Sequence, residues 1–154
     1  MKSKKTSKQR LTEKLDEVFS QYIRLKYADA NGYCRCISCG KVHHWKQIQN
    51  GHYMSRRHLA TRWSEDNCRP QCVACNIFNQ GAAQGFRLGL LKDHSSHYRL
   101  AGKSPEDAWK AAENRVNLIE ARAHETTKLS EFELKSMIDY YQKQVNELKK
   151  EKDG

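Results

Sequence analysis

Two Cys-x-x-Cys pairs carry the most specific chemical pattern in this sequence. Cys36 and Cys39 form the first pair, Cys72 and Cys75 form the second, and 32 residues separate them. A Cys-x-x-Cys turn brings two thiolates to one ion at about 2.3 Å, and two such turns complete the tetrahedron of structural zinc. We therefore predict a structural Zn²⁺ site with these four ligands, which contributes directly to folding.

Other Cys and His residues offer alternative ligands. Cys34 and Cys68 lie close to the pairs in sequence, but the paired spacing makes them poorer choices, and we expect free or partly buried thiols. His43 and His44 are expected in a loop rather than at the metal. In a reducing compartment, cysteines are read as metal ligands or free thiols before disulfides.

Three polar residues suit phosphodiester hydrolysis. Two lie between the cysteine pairs, and the third directly follows Cys75. That reaction needs a base to activate water and a cation to neutralise charge on the phosphate. His52, with an ordinary pKa near 6.5, can accept a proton at neutral pH. Asn76 offers a neutral oxygen to Mg²⁺ or Mn²⁺. Asn67 is expected to tie two strands together and fix the His52 loop, or to be a turn residue in "SEDN".

Basic residues surround these three positions. They are predicted to contact phosphates and to position DNA without reading bases; the alternative is a solvated basic face. The predicted phosphate contacts are Arg56, Arg57, Arg62 and Arg69. Trp63 is expected in the core rather than as a base-stacking platform.

The net charge of +10 points to the same partner. Residues 1–103 carry 19 Lys/Arg against 7 Asp/Glu, whereas residues 104–154 carry 9 against 11. A basic surface concentrates polyanions and binds them in a salt-sensitive manner. Nucleic acid is therefore the leading partner, and the alternative is that the charge only keeps the protein soluble.

Helices are expected on both sides of the Cys/His-rich region 33–81, which has only short strands. Residues 1–10 hold five basic residues and no acid, which predicts a solvated or disordered arm that could lie on phosphates. An amphipathic helix from Leu11 to about Ala28 follows, with the apolar positions Leu11, Leu15, Val18, Tyr22 and Leu25. "NQGAAQGFRLGLLKDH" is expected to be partly helical and broken by its glycines.

Two helices are predicted near the C-terminus. One starts at Ser104 as N-cap with Pro105 as its first residue, and its apolar face is Trp109, Ala112, Val116, Ile119 and Ala123. The other starts at the capping box Ser130-x-x-Glu133 and carries Leu134, Ile138, Tyr141, Val145 and Leu148. The last stripe packs either onto its own chain or against a second copy in a homodimer.

These elements predict an α+β fold. We divide it into a basic arm (1–10), an N-terminal helix with a zinc-bound core (11–100) and a C-terminal helical region (104–154). No apolar run approaches the roughly 20 residues of a membrane span, and the basic N-terminus has no apolar segment after it. A soluble, cytoplasmic protein is expected.

The segment "NGHYMSRRHLATRWSEDNCRPQCVACN" resembles the HNH, or ββα-metal, nucleases. In that superfamily a His lies on the first strand of a hairpin, an Asn lies in or after the second strand, and an Asn or His on the next helix binds a divalent ion. Zinc-bearing members clamp this unit with two Cys-x-x-Cys pairs. The resemblance implies a small treble-clef-like core in which His52, Asn67 and Asn76 form the catalytic set.

A closer resemblance covers most of the chain. "FSQYIRLKYADANGYCRCISCGK", the segment quoted above and "NQG…FRLGLL" are similar to the phage recombination family NinG, also called Rap. This implies an endonuclease that cleaves branched DNA, particularly Holliday junctions, in the cytoplasm of an infected host. The competing hypothesis is a zinc-dependent DNA-binding protein without catalysis.

One residue departs from the HNH pattern. Many members have an Asp, a second metal ligand, immediately before the catalytic His, where this chain has Gly51. Either Asn76 holds the ion with water and phosphate, as in members with a Gly-His pair, or another residue assists. His58 and Asp66 are the candidates for that second ligand.

Overall fold

The computed structural model describes residues 3–79 and 82–152, which combine helices with two small sheets. The predicted arm residues 1–2, residues 80–81 of "NQG" and the last two residues, 153–154, lie outside the described residues. The elements in chain order are α1 (Ser7–Lys26), β1 (Tyr33–Arg35), β2 (Val42–His44), β3 (Gln49–His52), α2 (Leu59–Arg62), β4 (Cys68–Gln71), α3 (Ala83–Leu100), α4 (Pro105–Ala123) and α5 (Glu131–Lys152). A 3₁₀ turn, Glu65–Asn67, precedes β4, and a π-helical turn, Ala74–Phe78, follows it.

Helix α1 begins at Ser7, inside the predicted basic arm, so the expected helix start at Leu11 is wrong, although residues 3–10 are all exposed to solvent. Thr6 caps the helix: its side chain accepts the Gln9 N–H, and the Gln9 side chain accepts the Thr6 N–H. This reciprocal pair satisfies two backbone donors that a helix start otherwise leaves open. The predicted apolar stripe is otherwise correct, since Leu15, Val18 and Leu25 are buried.

The strands form two separate antiparallel ribbons. In the first, β1 pairs with β2, so Cys34 faces His43. In the second, β3 pairs with β4, so His52 faces Cys68. A hydrogen bond of 2.9 Å from the Ile37 N–H to the Pro70 carbonyl joins the first Cys-x-x-Cys turn to β4. The ribbons therefore bring the two cysteine pairs together.

Helix α3 is continuous, so the prediction that glycines break it is wrong. A Cβ atom on Gly85 would lie 2.8 Å from the Ser38 carbonyl oxygen, and one on Gly89 would collide with the Ile37 carbonyl. The two glycines lie one turn apart on the same face. They allow the first Cys-x-x-Cys turn to pack directly against the helix backbone.

The two C-terminal helices begin where predicted. Ser104 caps α4 by accepting the Asp107 N–H, and Ser130 and Glu133 form a reciprocal capping box at α5. On α4, however, Ala108 is buried in place of the predicted Trp109, which is partly exposed and bonded to Glu113. Small alanines on this face let α4 pack closely against α3.

The apolar stripe of α5 packs against α1 of the same chain. Tyr141 contacts the rings of Phe19 and Tyr22, both at 4.9 Å between centroids, and the Lys152 ammonium donates to the Ala28 carbonyl. Leu134 and Val145 are fully buried in the same contact. The stripe therefore packs onto its own chain, the first of the two predicted alternatives.

Trp63 lies in the core as predicted, where its indole N–H donates to Asp16 at 2.9 Å. The main core combines α1, α5, both ribbons and the cysteine turns, and a second cluster lies between α3 and α4. No helix in the described ranges is long and apolar enough to cross a membrane.

Candidate functional site

The four predicted zinc ligands form one cluster. The sulfur atoms of Cys36, Cys39, Cys72 and Cys75 all lie within 4.8 Å of one another. Sulfurs at the corners of a tetrahedron with bonds of about 2.3 Å are separated by roughly 3.8 Å. The distance between the Cys39 and Cys72 sulfurs is 3.8 Å. The cluster therefore has the donor set and spacing to bind a metal ion such as zinc.

The backbone around Cys36 favours the thiolate form of that residue. Burial raises the pKa of Cys36, but N–H groups of Cys72, Cys39 and Ser38 outweigh it and lower the pKa to about 7. Backbone N–H groups that point at sulfur stabilise its negative charge. Cys36 is thus prepared to bind a cation.

The remaining Cys and His candidates lie outside this cluster, as the favoured interpretation predicted. Cys34 and Cys68 are 3% and 0% exposed, and burial raises the pKa of Cys34 to about 11. Such thiols stay protonated and do not compete for the ion. His43 and His44 lie in strand β2 rather than in the predicted loop.

His52 and Asn76 line one open cleft of about 770 Å³. Strand β3 supplies His52, and the π-helical turn immediately after Cys75 supplies Asn76. Helix α1 forms another part of the wall. Other residues that line the cleft include Asp16, Arg24, Gln49, Asn50, Tyr53, Arg56 and Ile77.

A single hydrogen bond defines the protonation of His52. Its Nε2 lies 2.8 Å from the Arg62 carbonyl oxygen. A carbonyl can only accept, so Nε2 carries the proton and Nδ1 of the neutral ring is an acceptor. Burial lowers the pKa of His52 below its usual range, with a further contribution from nearby Arg56. The ring is therefore kept neutral, with one basic nitrogen.

Asn76 is held from both sides. Its backbone N–H donates to the Cys72 carbonyl at 2.9 Å, and its side-chain Nδ2 donates to Gln49 Oε1 at 2.8 Å. Within the described residues, its Oδ1 accepts no hydrogen bond. The side-chain oxygen is thus oriented and available to a ligand, next to the cysteine cluster.

Asn67 is completely buried and braces the loop between β3 and β4. Its Oδ1 accepts the Met54 N–H at 2.7 Å, and its Nδ2 donates to the carbonyls of Met54 and Thr61 at 2.9 and 3.1 Å. The braced loop carries Arg62, whose carbonyl orients His52. Asn67 does not line the cleft, so it acts on the site through this loop.

Nearly the whole chain matches one known protein family. The family model NinG, described as bacteriophage lambda NinG protein, matches residues 1–151. This chain belongs to the NinG family. No curated protein and no solved structure matches it significantly.

The four predicted phosphate contacts occupy different environments in this NinG-family protein. Arg56 lines the cleft, and Arg57 is exposed beside it. Arg62 is bound in an ion pair to Asp16 through Nε at 3.0 Å and Nη2 at 2.5 Å. This pair fixes the loop that positions the carbonyl bonded to His52.

Arg69 lies away from the cleft, and its burial contradicts the predicted phosphate contact. The residue is 5% exposed, and its guanidinium donates to the Glu65 and Cys68 carbonyls at 2.7 and 2.8 Å. It also pairs with Asp93 of α3 at 3.3 Å. A guanidinium that is satisfied inside the protein connects elements and does not bind a polyanion.

Gly51 has no room for the Asp often found before the catalytic His. A Cβ atom there would lie 2.7 Å from Gln71 Cβ and 2.9 Å from Phe86 Cε2. The candidates for a replacement ligand do not line the cleft either. Asp66 is paired with Arg115 at 2.8 Å, and the ring of His58 contacts that of His124. Neither candidate for the second ligand of the predicted catalytic ion therefore lies in the cleft with Asn76.

Sequence reasoning did not assign several polar cleft residues to the site, among them Asp16, Arg24 and Gln49. Asp16 and Arg24 come from α1, and Gln49 precedes the quoted motif. Arg24 donates to the Trp45 carbonyl at 2.8 Å and lies over the Trp45 ring. Asp16 and Arg24 join the site only through tertiary packing, so local spacing carries no signal for them.

Proposed function

We propose that this NinG-family protein is a metal-dependent, structure-specific DNA endonuclease that hydrolyses phosphodiester bonds in branched DNA such as Holliday junctions. The observation that carries the proposal is the shared cleft of His52 and Asn76. The order of a hairpin strand with His52, a second strand and a helical turn with Asn76 also resembles the ββα unit of HNH nucleases.

His52 serves as the general base in this proposal. Its Nδ1 removes a proton from the attacking water, while Nε2–H remains bonded to the Arg62 carbonyl. The bond holds the ring in the required tautomer and stabilises the imidazolium that forms after proton transfer. Asp16 and Asn67 support the step by fixing the Arg62 loop.

Asn76 provides the protein ligand of a catalytic Mg²⁺ or Mn²⁺ ion. Its neutral Oδ1 suits an ion that keeps most of its waters and takes further ligands from substrate phosphate. When bound, the ion neutralises charge on the phosphate and the leaving oxygen. Gln49 orients the amide by accepting from Nδ2, so that the oxygen is presented to the ion.

Zn²⁺ at the four cysteines has a structural role in the proposal. Cys72 and Cys75 flank the turn that begins the Asn76 segment, while Cys36 and Cys39 anchor that turn to β1 and α3. The ion thus stabilises the position of Asn76 relative to His52. Arg24, Arg56 and Arg57 contact the phosphates of the DNA.

The test uses a panel of DNA substrates with identical arm sequences. Purified zinc-loaded protein is incubated with Mg²⁺ and linear duplex, flap or four-way-junction DNA. We expect cleavage of the junction in preference to the duplex, and we expect Asn76→Ala to need more Mg²⁺ for half-maximal rate. Equal cleavage of the linear duplex would contradict structure specificity.

A non-catalytic, zinc-dependent DNA-binding protein is the alternative, and the basic charge and the cysteine cluster favour it equally. The same panel separates the two functions. Binding of all three substrates without any cleavage in Mg²⁺ or Mn²⁺ would support the alternative and exclude the nuclease.

A further inference from the structure

An exposed apolar tip follows Asn76 and reaches the cleft through its first residue. It consists of Ile77 and Phe78, which are 56% and 77% exposed. Ile77 also lines the cleft, next to the proposed metal ligand Asn76. The tip belongs to the π-helical turn rather than to a loose loop. Its exposure on a polar, basic protein needs an explanation, since an exposed aromatic ring costs solvation free energy.

The position of the tip is tightly restrained. The turn contains Cys75 of the cysteine cluster, and backbone hydrogen bonds of 2.9 Å run from the Asn76 N–H to the Cys72 carbonyl and from the Asn79 N–H to the Ala74 carbonyl. Two residues of chain span at most about 7 Å. The Phe78 backbone is therefore held within about two nucleotide spacings of the Asn76 backbone, since stacked nucleotides are spaced 3.4 Å apart.

The charges nearby indicate what covers the tip. Arg24 and Arg56 line the same cleft, and Arg62 neutralises Asp16, the acidic residue of this wall. An apolar protein partner would not require cations beside the apolar patch. A nucleic acid requires both, because its backbone binds arginine while its bases stack on aromatic rings.

We propose that Phe78, supported by Ile77, is a stacking platform for an unpaired or unstacked DNA base beside the scissile phosphate. The inference rests on the proposed nuclease function. Stacking on Phe78 would explain how that nuclease prefers branched DNA. Bases in a continuous duplex are already stacked on both faces, whereas a branch point offers bases that can be unstacked at low cost. The platform therefore increases affinity for DNA at a branch point and adds little affinity for linear duplex.

The experiment compares Phe78→Ala, Phe78→Leu and Phe78→Trp with a matched control, Phe132→Ala. Phe132 is 78% exposed on α5, so it controls for the loss of an exposed ring. The substrates are a four-way junction with 2-aminopurine at the branch point and a linear duplex with the same label. Affinity and fluorescence are measured without Mg²⁺, and cleavage is measured with it.

We expect Phe78→Ala and Phe78→Leu to lose junction affinity by about 10-fold, the typical effect of one lost base stack. Duplex affinity stays unchanged, and the 2-aminopurine signal no longer changes on binding. Phe78→Trp and Phe132→Ala behave like the wild type. Preferential cleavage of the junction over the duplex falls together with the affinity.

Several results would overturn the inference. Wild-type junction affinity and fluorescence in Phe78→Ala would exclude the platform while leaving the nuclease intact. Wild-type behaviour of Phe78→Leu would indicate simple apolar contact, and a change in oligomeric state without DNA would indicate a second copy on the tip. If the wild type cleaves nothing, the nuclease fails, and the fluorescence still decides whether Phe78 stacks on a base.

Discussion

At the scale of single residues, the site depends on hydrogen bonds that restrict polar groups to one role. His52 has one nitrogen committed to the Arg62 carbonyl, and Asn76 has its amide N–H₂ committed to Gln49. Each residue therefore presents one defined acceptor. The sequence identifies both residues by type and spacing, but only the fold supplies the partners that set their orientation.

The lowered pKa of His52 makes a prediction for the pH dependence of cleavage. Neutral His52 is the active form, and burial holds its pKa below 6.5, so the active form persists below that pH. We expect kcat/KM for junction cleavage to rise with pH and reach its plateau with an apparent pKa below 6.5. A pH–rate profile with DNA affinity measured at each pH tests this.

Arg56→Gln provides the matched variant for that profile. Arg56 lowers the pKa of His52 through its positive charge, so its removal moves the acidic limb to higher pH, whatever its effect on affinity. An apparent pKa of 6.5 or higher in the wild type would contradict the assignment of His52 as base. A lower apparent pKa in Arg56→Gln than in the wild type would contradict it as well.

At the scale of elements, close backbone contacts decide what the sequence pattern leaves open. Gly85 and Gly89 suggest a broken helix, yet they form the contact face of a continuous α3 against the first cysteine turn. The Thr6–Gln9 capping box follows the same local rule as Ser130–Glu133, so the start of α1 is encoded in the sequence around it. Caps and stripes are local and predictable, whereas close packing between elements is not.

Gly89→Ala tests this packing. In an isolated helix this change is stabilising by about 1 kcal/mol, but here the new methyl group collides with the Ile37 carbonyl and lies 2.8 Å from Ile37 Cδ1. We expect the free energy of unfolding to fall by about 1–3 kcal/mol, as in overpacked cores. Urea unfolding of zinc-loaded protein measures it.

The exposed Gln84 of α3 is the control position for that experiment. Gln84→Ala should leave the free energy of unfolding nearly unchanged because both residues favour helices. Stabilisation by Gly89→Ala would show that α3 does not contact the cysteine turn as described.

At the scale of the whole molecule, the cysteine cluster brings together elements that lie far apart in the sequence. It joins the β1 turn to the turn after β4, while α5 closes the structure by packing on α1. The cysteine spacing predicted this site completely. The arginines were less predictable: Arg56 lines the cleft, but Arg69 is buried because Asp93, 24 residues away, pairs with it.

Removal of the metal should destabilise the folded chain. We expect one zinc ion per chain by atomic emission, and a lower unfolding temperature after treatment with a strong chelator, because structural zinc contributes to folding. Cys36→Ser should lose the ion, whereas Cys34→Ala should retain it, since Cys34 lies outside the cluster. A folded Cys36→Ser protein with full zinc content would contradict the four-cysteine site.

The central claim is that His52 acts as the base for phosphodiester cleavage in the cleft it shares with Asn76. The most direct measurement is the single-turnover rate of four-way-junction cleavage in Mg²⁺ by wild-type protein and His52→Ala, both zinc-loaded and saturating the junction. We predict a loss of about 10²–10⁴-fold in rate with unchanged junction affinity and zinc content. Equal rates, or no cleavage by the wild type, would contradict the claim.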